Sequence, residues 1–460
     1  MIEEILNKIS TNISLDLIMD KIFQIYSFIG DSIYEFYILY SRPILDLMNF
    51  FFKNTFNLFI FITMLLATFY LFMSITVLFR KKRISKDVEK GKEPLVTIQI
   101  PTYNELAAIN CAKKCINFNY PKDKMQIIIG DDSNDKSISK KINQFANKHK
   151  DLITVTRRGE NIGFKPGNLN YMLKYTKGEI IVIFDSDFLP DEDFLKKIVK
   201  PFSDNKNISV VQSRWKINNF SQNIYSILGG TISLLCHNIA LEFINGIKGN
   251  GFLCGSAEAI RKKDLVKVGG WLKGSLTEDI ECSLRLIKEG KRLVYLEDVE
   301  CECEAPFRFK DLCKQQMRWA YGVILALKIH FFDVTKSKVT RLRDKFSVVI
   351  FASGYFFSLL LLLITIFGLL SLVSEKPAPI DWPRFLSETA FNIALTSGFI
   401  LSSIIALSKS KKLKELPKMI VASLSVGLAV TYYVNIGILK AIFDRKMQWF
   451  MLKKNGNECT

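Results

Sequence analysis

Three short acidic runs are the first candidates for chemistry. Asp131-Asp132-Ser133, Asp185-Ser186-Asp187 and Thr277-Glu278-Asp279 each set carboxylates one or two residues apart. An Asp-x-Asp pair offers hard oxygen ligands that suit Mg2+ or Mn2+, and diphosphate oxygens can complete the shell. A single such run also has a local account, because Asp and Ser are common in turns and caps. For Thr277-Glu278-Asp279 that account is strong. Ile280, Leu284 and Ile287 form one stripe of the helix that follows, Gly290 stops it, and Ser275 with Glu278 has capping-box spacing. In Asn161–Asn170 the glycines permit close backbone approach, and Lys165 is a point charge suited to phosphate. Gln315-Gln316-Met317-Arg318-Trp319 reads as amphipathic helix, yet Arg318 can neutralise a leaving diphosphate and Trp319 presents a flat apolar face to a sugar ring.

The strand pattern is what gathers these residues. β-rich runs at Leu95–Ile100, Met125–Gly130, Ile153–Thr156, Glu179–Phe184, Ser209–Gln212 and Leu293–Leu296 alternate with helical stretches over residues 95–335. Several are continuously apolar, as parallel strands covered on both faces are. The alternation predicts a doubly wound α/β sheet, whose ligands bind at the carboxyl ends of the strands. Pro101-Thr102-Tyr103-Asn104-Glu105 and the first two acidic runs sit directly after such strands. Carboxylates gathered there repel one another and need a counter-cation.

The rest of the chain points to a membrane. Of 460 residues 49% are hydrophobic, 36 are Phe, and mean hydropathy is +0.16, which excludes a disordered, collagenous or small disulfide-stapled chain. Residues 1–56 mix apolar and charged positions and read as an interfacial amphipathic segment. Asn57–Phe79 is uncharged and long enough to span, at about 35 Å of helix. Arg80, Lys81, Lys82 and Arg83 follow it and place the next segment, a domain over residues 84–335, in the cytosol. Phe346–Val373 and Phe391–Leu407 are further spans. The loop between them holds Lys376 and Arg384; the loop after Leu407 holds Lys409, Lys411, Lys412, Lys414 and Lys418. Residues 419–443 are apolar again, but Tyr432, Tyr433, Asn435 and Lys440 interrupt them, which allows a span or a helix broken near Asn435 at the cytosolic face. The net charge of +18 is therefore read as membrane flanks, and no nucleic-acid motif accompanies it. Nine Cys without a CxxC and three scattered His predict reduced thiols and no Cys/His metal site.

Taken in order, PTYNE, DDS, GFKPGNLN, DSD, VQSRW (Val211–Trp215), CGSAEAIR (Cys254–Arg261), TED and QQMRW resemble the processive glycosyltransferases of family 2, the group of cellulose, chitin, hyaluronan and mannan synthases. The resemblance covers roughly residues 40–456, and VQSRW points toward the mannan and glucomannan branch. It implies a glycosyltransferase A-type, Rossmann-like cytosolic domain with a mostly parallel sheet, plus α-helical transmembrane elements through residue 443 and a cytosolic tail at 444–460. It also implies an integral membrane enzyme of the plasma membrane, or of a Golgi-type membrane in a eukaryote. Such an enzyme extends a polysaccharide with inversion from a UDP- or GDP-sugar, using Mg2+ or Mn2+, and translocates the polymer; the alternative is a non-processive enzyme with a lipid acceptor. By position, Tyr103 would stack on the base beside Thr102 and Glu105, Asp131 or Asp132 would bind base or ribose, and Lys165 would contact the nucleotide. Asp185 and Asp187 would hold nucleotide and metal, Asp279 would be the general base, and Gln315, Arg318 and Trp319 would shape the acceptor end and diphosphate site. Trp449–Gly456 resembles the gating loop, with Lys454 kept but Leu452 where the family has Thr.

The Lys/Arg asymmetry gives a topology test. A cysteine placed between Glu375 and Glu388 is expected to react with an impermeant thiol reagent from outside, and one between Ser408 and Lys418 to stay protected. The reverse pattern would overturn the orientation.

Overall fold

The computed structural model describes residues 15–81, 84–375, 379, 381–448, 450, 452 and 453. They divide into two compact units, Met1–Ile62 with Leu363–Asn392 and Thr63–Leu362 with Ile393–Thr460.

The larger unit is built on an eight-stranded mixed sheet. Its strands are β1 (Val96–Thr102), β2 (Met125–Asp131), β3 (Ile153–Thr156), β4 (Ile180–Ile183), β5 (Leu189–Pro190), β6 (Ile208–Ile217), β7 (Glu258–Arg261) and β8 (Arg292–Cys303), in the order β3-β2-β1-β4-β7-β6-β8-β5. β3, β2, β1 and β4 run parallel. All of β1 and β4 is buried; β4 reads as an unbroken apolar run, whereas Thr97, Gln99 and Thr102 interrupt β1. β7 enters antiparallel between β4 and β6, with Glu258 opposite both Ile183 and Gln212. The strand pattern did not show β7, because Glu-Ala-Ile-Arg has polar ends. Both ends are nonetheless buried, and Arg261 donates from Nε to Ile208 O (3.2 Å) and from Nη2 to Phe202 O (3.1 Å). The reversal matters for position, since it brings the turn before β7 to the same sheet edge as the end of β4.

Helix Glu278–Lys288 buries Ile280, Leu284 and Ile287 and lies against helix Phe309–Lys336. Gly322 allows that approach, because a Cβ there would overlap Thr277. On its other side helix Phe309–Lys336 packs against helix Gly427–Ile442, where Gly437 lies against the Met317 carbonyl. A buried ion network joins the helix ends to the sheet. Arg80, just past helix Arg42–Phe79, pairs with Glu297 of β8 and lies 3.9 Å from Glu242. Glu242 also pairs with Arg214 of β6 and with Lys409 (2.7 Å), the last residue of helix Gly398–Lys409.

By length and composition, three helical stretches among the described residues could cross a membrane: Met19–Phe79, Ile224–Gly246 and Leu342–Ser374. Two bent pairs, Trp382–Thr396 with Gly398–Lys409 and Leu413–Ser425 with Gly427–Ile442, could add two more. Ile224–Gly246 is largely buried inside the protein and was not expected as a span. In the smaller unit Phe51, Phe52 and Phe59 surround Phe367, and Asn49 Nδ2 donates to Ser371 O (2.8 Å). The break considered near Asn435 falls instead between Ser425 and Gly427, with a 57° bend. Asn435 stays helical, and its Nδ2 donates to Ser358 O (3.1 Å) and Thr431 O (3.0 Å), which satisfies that donor in an apolar setting.

Gly437→Ala is expected to lower the melting temperature, because the new Cβ must push helices Gly427–Ile442 and Phe309–Lys336 apart at about 1–3 kcal/mol of overpacking. Leu428→Ala, at an exposed position of the same helix, should melt like the parent in the same thermal scan.

Candidate active site

One cleft opens at the carboxyl edge of β1, β2 and β4. Its free volume is about 200 Å³, below the roughly 300–1,000 Å³ usual for a small-ligand pocket. Thr102, Tyr103, Glu105, Asp132, Lys165, Asp185, Asp187, Asp279, Gln315, Arg318 and Trp319 line it together. Asp131 does not, and Lys454 lies outside the described residues.

At one end the strand-end loops are tied by side chains. Thr102 Oγ1 donates to Glu105 O (3.2 Å), Ser186 Oγ donates to the Glu105 carboxylate, and the Asn104 amide donates to Ser133 Oγ (2.8 Å). Asp131 is buried and accepts from Arg157 Nε (2.8 Å) and Nη2 (2.6 Å), Ser139 Oγ (2.7 Å) and the Ser133 amide (3.0 Å). Burial opposes its charge, but the bonds from Ser133, Ser139 and Arg157 outweigh it and hold the carboxyl below its usual range. Asp132 pairs with Arg158, yet burial pushes its pKa up. Sequence reasoning left both arginines unassigned. Their signal was position: Arg157-Arg158 directly follows β3, the parallel neighbour of β2, which ends in Asp131.

The centre is a buried charge cluster. Lys165 Nζ lies 2.7 Å from Asp185 Oδ1 and 3.2 Å from Glu278 Oε1, and donates to Gly255 O (2.5 Å). Burial works against its charge, but Asp185, Glu278 and Glu258 outweigh that and raise its pKa above the usual lysine value. Asp279 is pushed up to about 7, first by burial and then by Glu278. Burial, and next the Asp279 charge, push Glu258 well above the carboxylate range. Glu258 was not singled out from the sequence, where one Glu in a run of small residues gives no signal. Asp185 and Asp187 line the cleft as carboxylate donors. Among the described residues no three His, Cys, Asp or Glu are grouped to hold an ion. Two carboxylates fit a cation whose remaining ligands are water and substrate phosphate, as Mg2+ usually is.

At the other end Arg318 Nη1 donates to Leu276 O (3.1 Å), which fixes helix Phe309–Lys336 against the turn before Asp279. Trp319 and Trp215 lie 6.3 Å apart, and Phe188 packs 5.3 Å from Trp215. Phe450, Leu452 and Lys453 close this rim; Lys314 Nζ sits 4.7 Å over the Phe450 ring, and the Lys453 amide is 3.5 Å from Asp311 Oδ2.

A family model described as glycosyl transferase family group 2 matches residues 180–405. A probable glucomannan 4-beta-mannosyltransferase 7 of Oryza sativa subsp. japonica is 31% identical over 274 residues, which cover 56% of this chain and 46% of that protein. The match thus spans about half the length of this curated relative. A mannosyltransferase from Pyrobaculum calidifontis, solved in complex with GDP-Man and Mn2+, superposes with a TM-score of 0.61 at 16% identity, over 86% of this chain and 100% of that one. The mixed, mostly parallel sheet thus has the fold of that mannosyltransferase, and residues 180–405 are similar to the glycosyl transferase family group 2.

Proposed function

We propose that this chain is a membrane-embedded, inverting β-glycosyltransferase that moves hexose units from a nucleotide sugar onto a growing polysaccharide and translocates the product. The observation that carries the reading is the gathering of these groups in one cleft. Tyr103, Asp132, Asp185, Asp187, Lys165, Asp279 and Arg318 line it together with the Trp215–Trp319 aromatic pair. The Oryza sativa mannosyltransferase makes an activated mannose the first donor to test. The apolar helices support a bilayer location; the Lys/Arg flanks favour a cytosolic sheet domain, and the family resemblance a plasma membrane or, in a eukaryote, a Golgi-type membrane.

In this mechanism the acceptor hydroxyl oxygen forms a bond to the anomeric carbon from the face opposite the diphosphate. The bond from that carbon to the diphosphate oxygen breaks, and the nucleoside diphosphate leaves with the electron pair. Asp279 takes the hydroxyl proton; such general-base help is typically worth ~10²–10⁴ in rate. A pKa near 7 suits the task, since the group is ionised enough to accept and basic enough to hold the proton. Arg318 and Lys165 supply fixed positive charge toward the departing diphosphate. Mg2+ or Mn2+ held by Asp185 and Asp187 would supply further charge to the same oxygens. Tyr103, Thr102, Glu105 and Asp132 hold the nucleoside, and Gln315 and Trp319 the acceptor sugar.

Three outcomes are expected. Purified chain given radiolabelled GDP-mannose, GDP-glucose or UDP-sugars should yield label in long polymer that linkage-specific hydrolases digest; label confined to a single lipid-borne sugar would favour the lipid-acceptor enzyme. EDTA should abolish transfer, and Asp187→Ala should weaken metal-dependent nucleotide binding in calorimetry, whereas full activity in EDTA would sink the metal assignment. Asp279→Asn should bind donor nucleotide but transfer almost nothing. In the parent, kcat/KM should fall about tenfold per pH unit below about 7, because protonating Asp279 removes the base; a flat acid limb would place the base elsewhere.

A further inference from the structure

The turn Cys254–Ala257 touches four parts of the cleft. Gly255 O accepts from Lys165 Nζ (2.5 Å), Ser256 Oγ accepts from the Asp185 amide (2.8 Å), and Ser256 O accepts from Trp215 Nε1 (3.1 Å). Gly255 itself faces Asp279, whose Oδ2 would lie 3.2 Å from a Cβ at that position. The turn has an unusual backbone. Gly255 has φ +93° and Ala257 φ +51°, in the left-handed region where a residue with a Cβ persists only when its surroundings enforce it.

Two buried side chains do the enforcing. Glu258 Oε2 accepts from the Cys254 amide (3.0 Å) and the Gly255 amide (2.8 Å). Gln212 Oε1 accepts from the Cys254 amide (2.8 Å), and its Nε2 donates to Ser256 O (3.0 Å). The two residues face each other across the β6–β7 ladder, and neither lines the cleft. We propose that Glu258 is a positioning residue: by accepting the Cys254 and Gly255 amides it fixes the left-handed turn that sets Lys165, Asp185 and Trp215 against Asp279. It acts by where its acceptor oxygen lies and not by its charge. The catalytic consequence rests on the glycosyl-transfer reading, whereas the structural claim does not.

The test separates the two. The full chain, labelled with 5-fluorotryptophan, has five tryptophans, few enough to resolve by 19F NMR, and Trp215→Phe assigns the Trp215 resonance. Glu258→Ala is expected to move that resonance and to lower kcat about 10–100-fold, the scale of a small misplacement of reacting groups. Glu258→Gln keeps an acceptor oxygen in place, so both the resonance and kcat should stay near the parent values. Should Glu258→Ala fail to fold, Glu258→Asp, one methylene shorter, is expected to show the same displacement. The proposal is overturned if the alanine and aspartate variants leave Trp215 and kcat unchanged, or if the glutamine variant loses transfer as deeply as the alanine. If the parent transfers no sugar from any donor, the functional reading fails, and the Trp215 resonance alone still decides the positioning claim.

Discussion

One buried ammonium holds the cleft together. Lys165 stands within ion-pair distance of Asp185 and Glu278 and shares its surroundings with Glu258 and Asp279. Two like charges about 4 Å apart repel by ~4 kcal/mol at an effective dielectric of 20. Carboxylates this crowded therefore need either a cation or a retained proton. Lys165 supplies the cation, while burial pushes Glu258 well above the carboxylate range and Asp279 up to about 7. Each element that reaches the site has to deliver its side chain within range of that one ammonium.

The sheet does so by two different routes. The parallel strands β1, β2 and β4 bring Tyr103, Asp132 and Asp185 to one edge because parallel strands all end on the same side. β7 runs the other way, so its beginning meets their ends. The Gly255 turn thus arrives from the opposite chain direction and packs under Asp185 and Lys165. The helices then add the remaining wall, with Arg318 bonded to Leu276 O and Gly322 against Thr277 keeping Asp279 and Trp319 in register.

Much of this arrangement was written plainly in the residues. Unbroken runs such as Ile180–Ile183 announce central strands, and short polar runs just beyond them must fall at the sheet edge. What stayed hidden was pairing. Whether Asp131 or Asp132 faces the cleft depends on which arginine each one meets, and strand neighbours are not visible in one chain. β7 and Glu258 were hidden because their polar atoms are satisfied inside the protein, which pattern reading takes for surface. Asn435 misled in the same way: an amide that bonds Ser358 O does not break a helix.

The ion network around Glu242 and Glu297 bears on how the molecule is assembled. Both carboxylates belong to the sheet domain and are buried, but Arg80 and Lys409 come from the ends of long apolar helices. Removing one partner of a buried pair typically costs about 3–5 kcal/mol, a large part of a domain's whole stability. A piece of this chain cut to residues 84–335 would lose both cations at once. The sheet domain is therefore not an independent cargo hung from an anchor. Its stability is tied to the apolar helices that bring those cations.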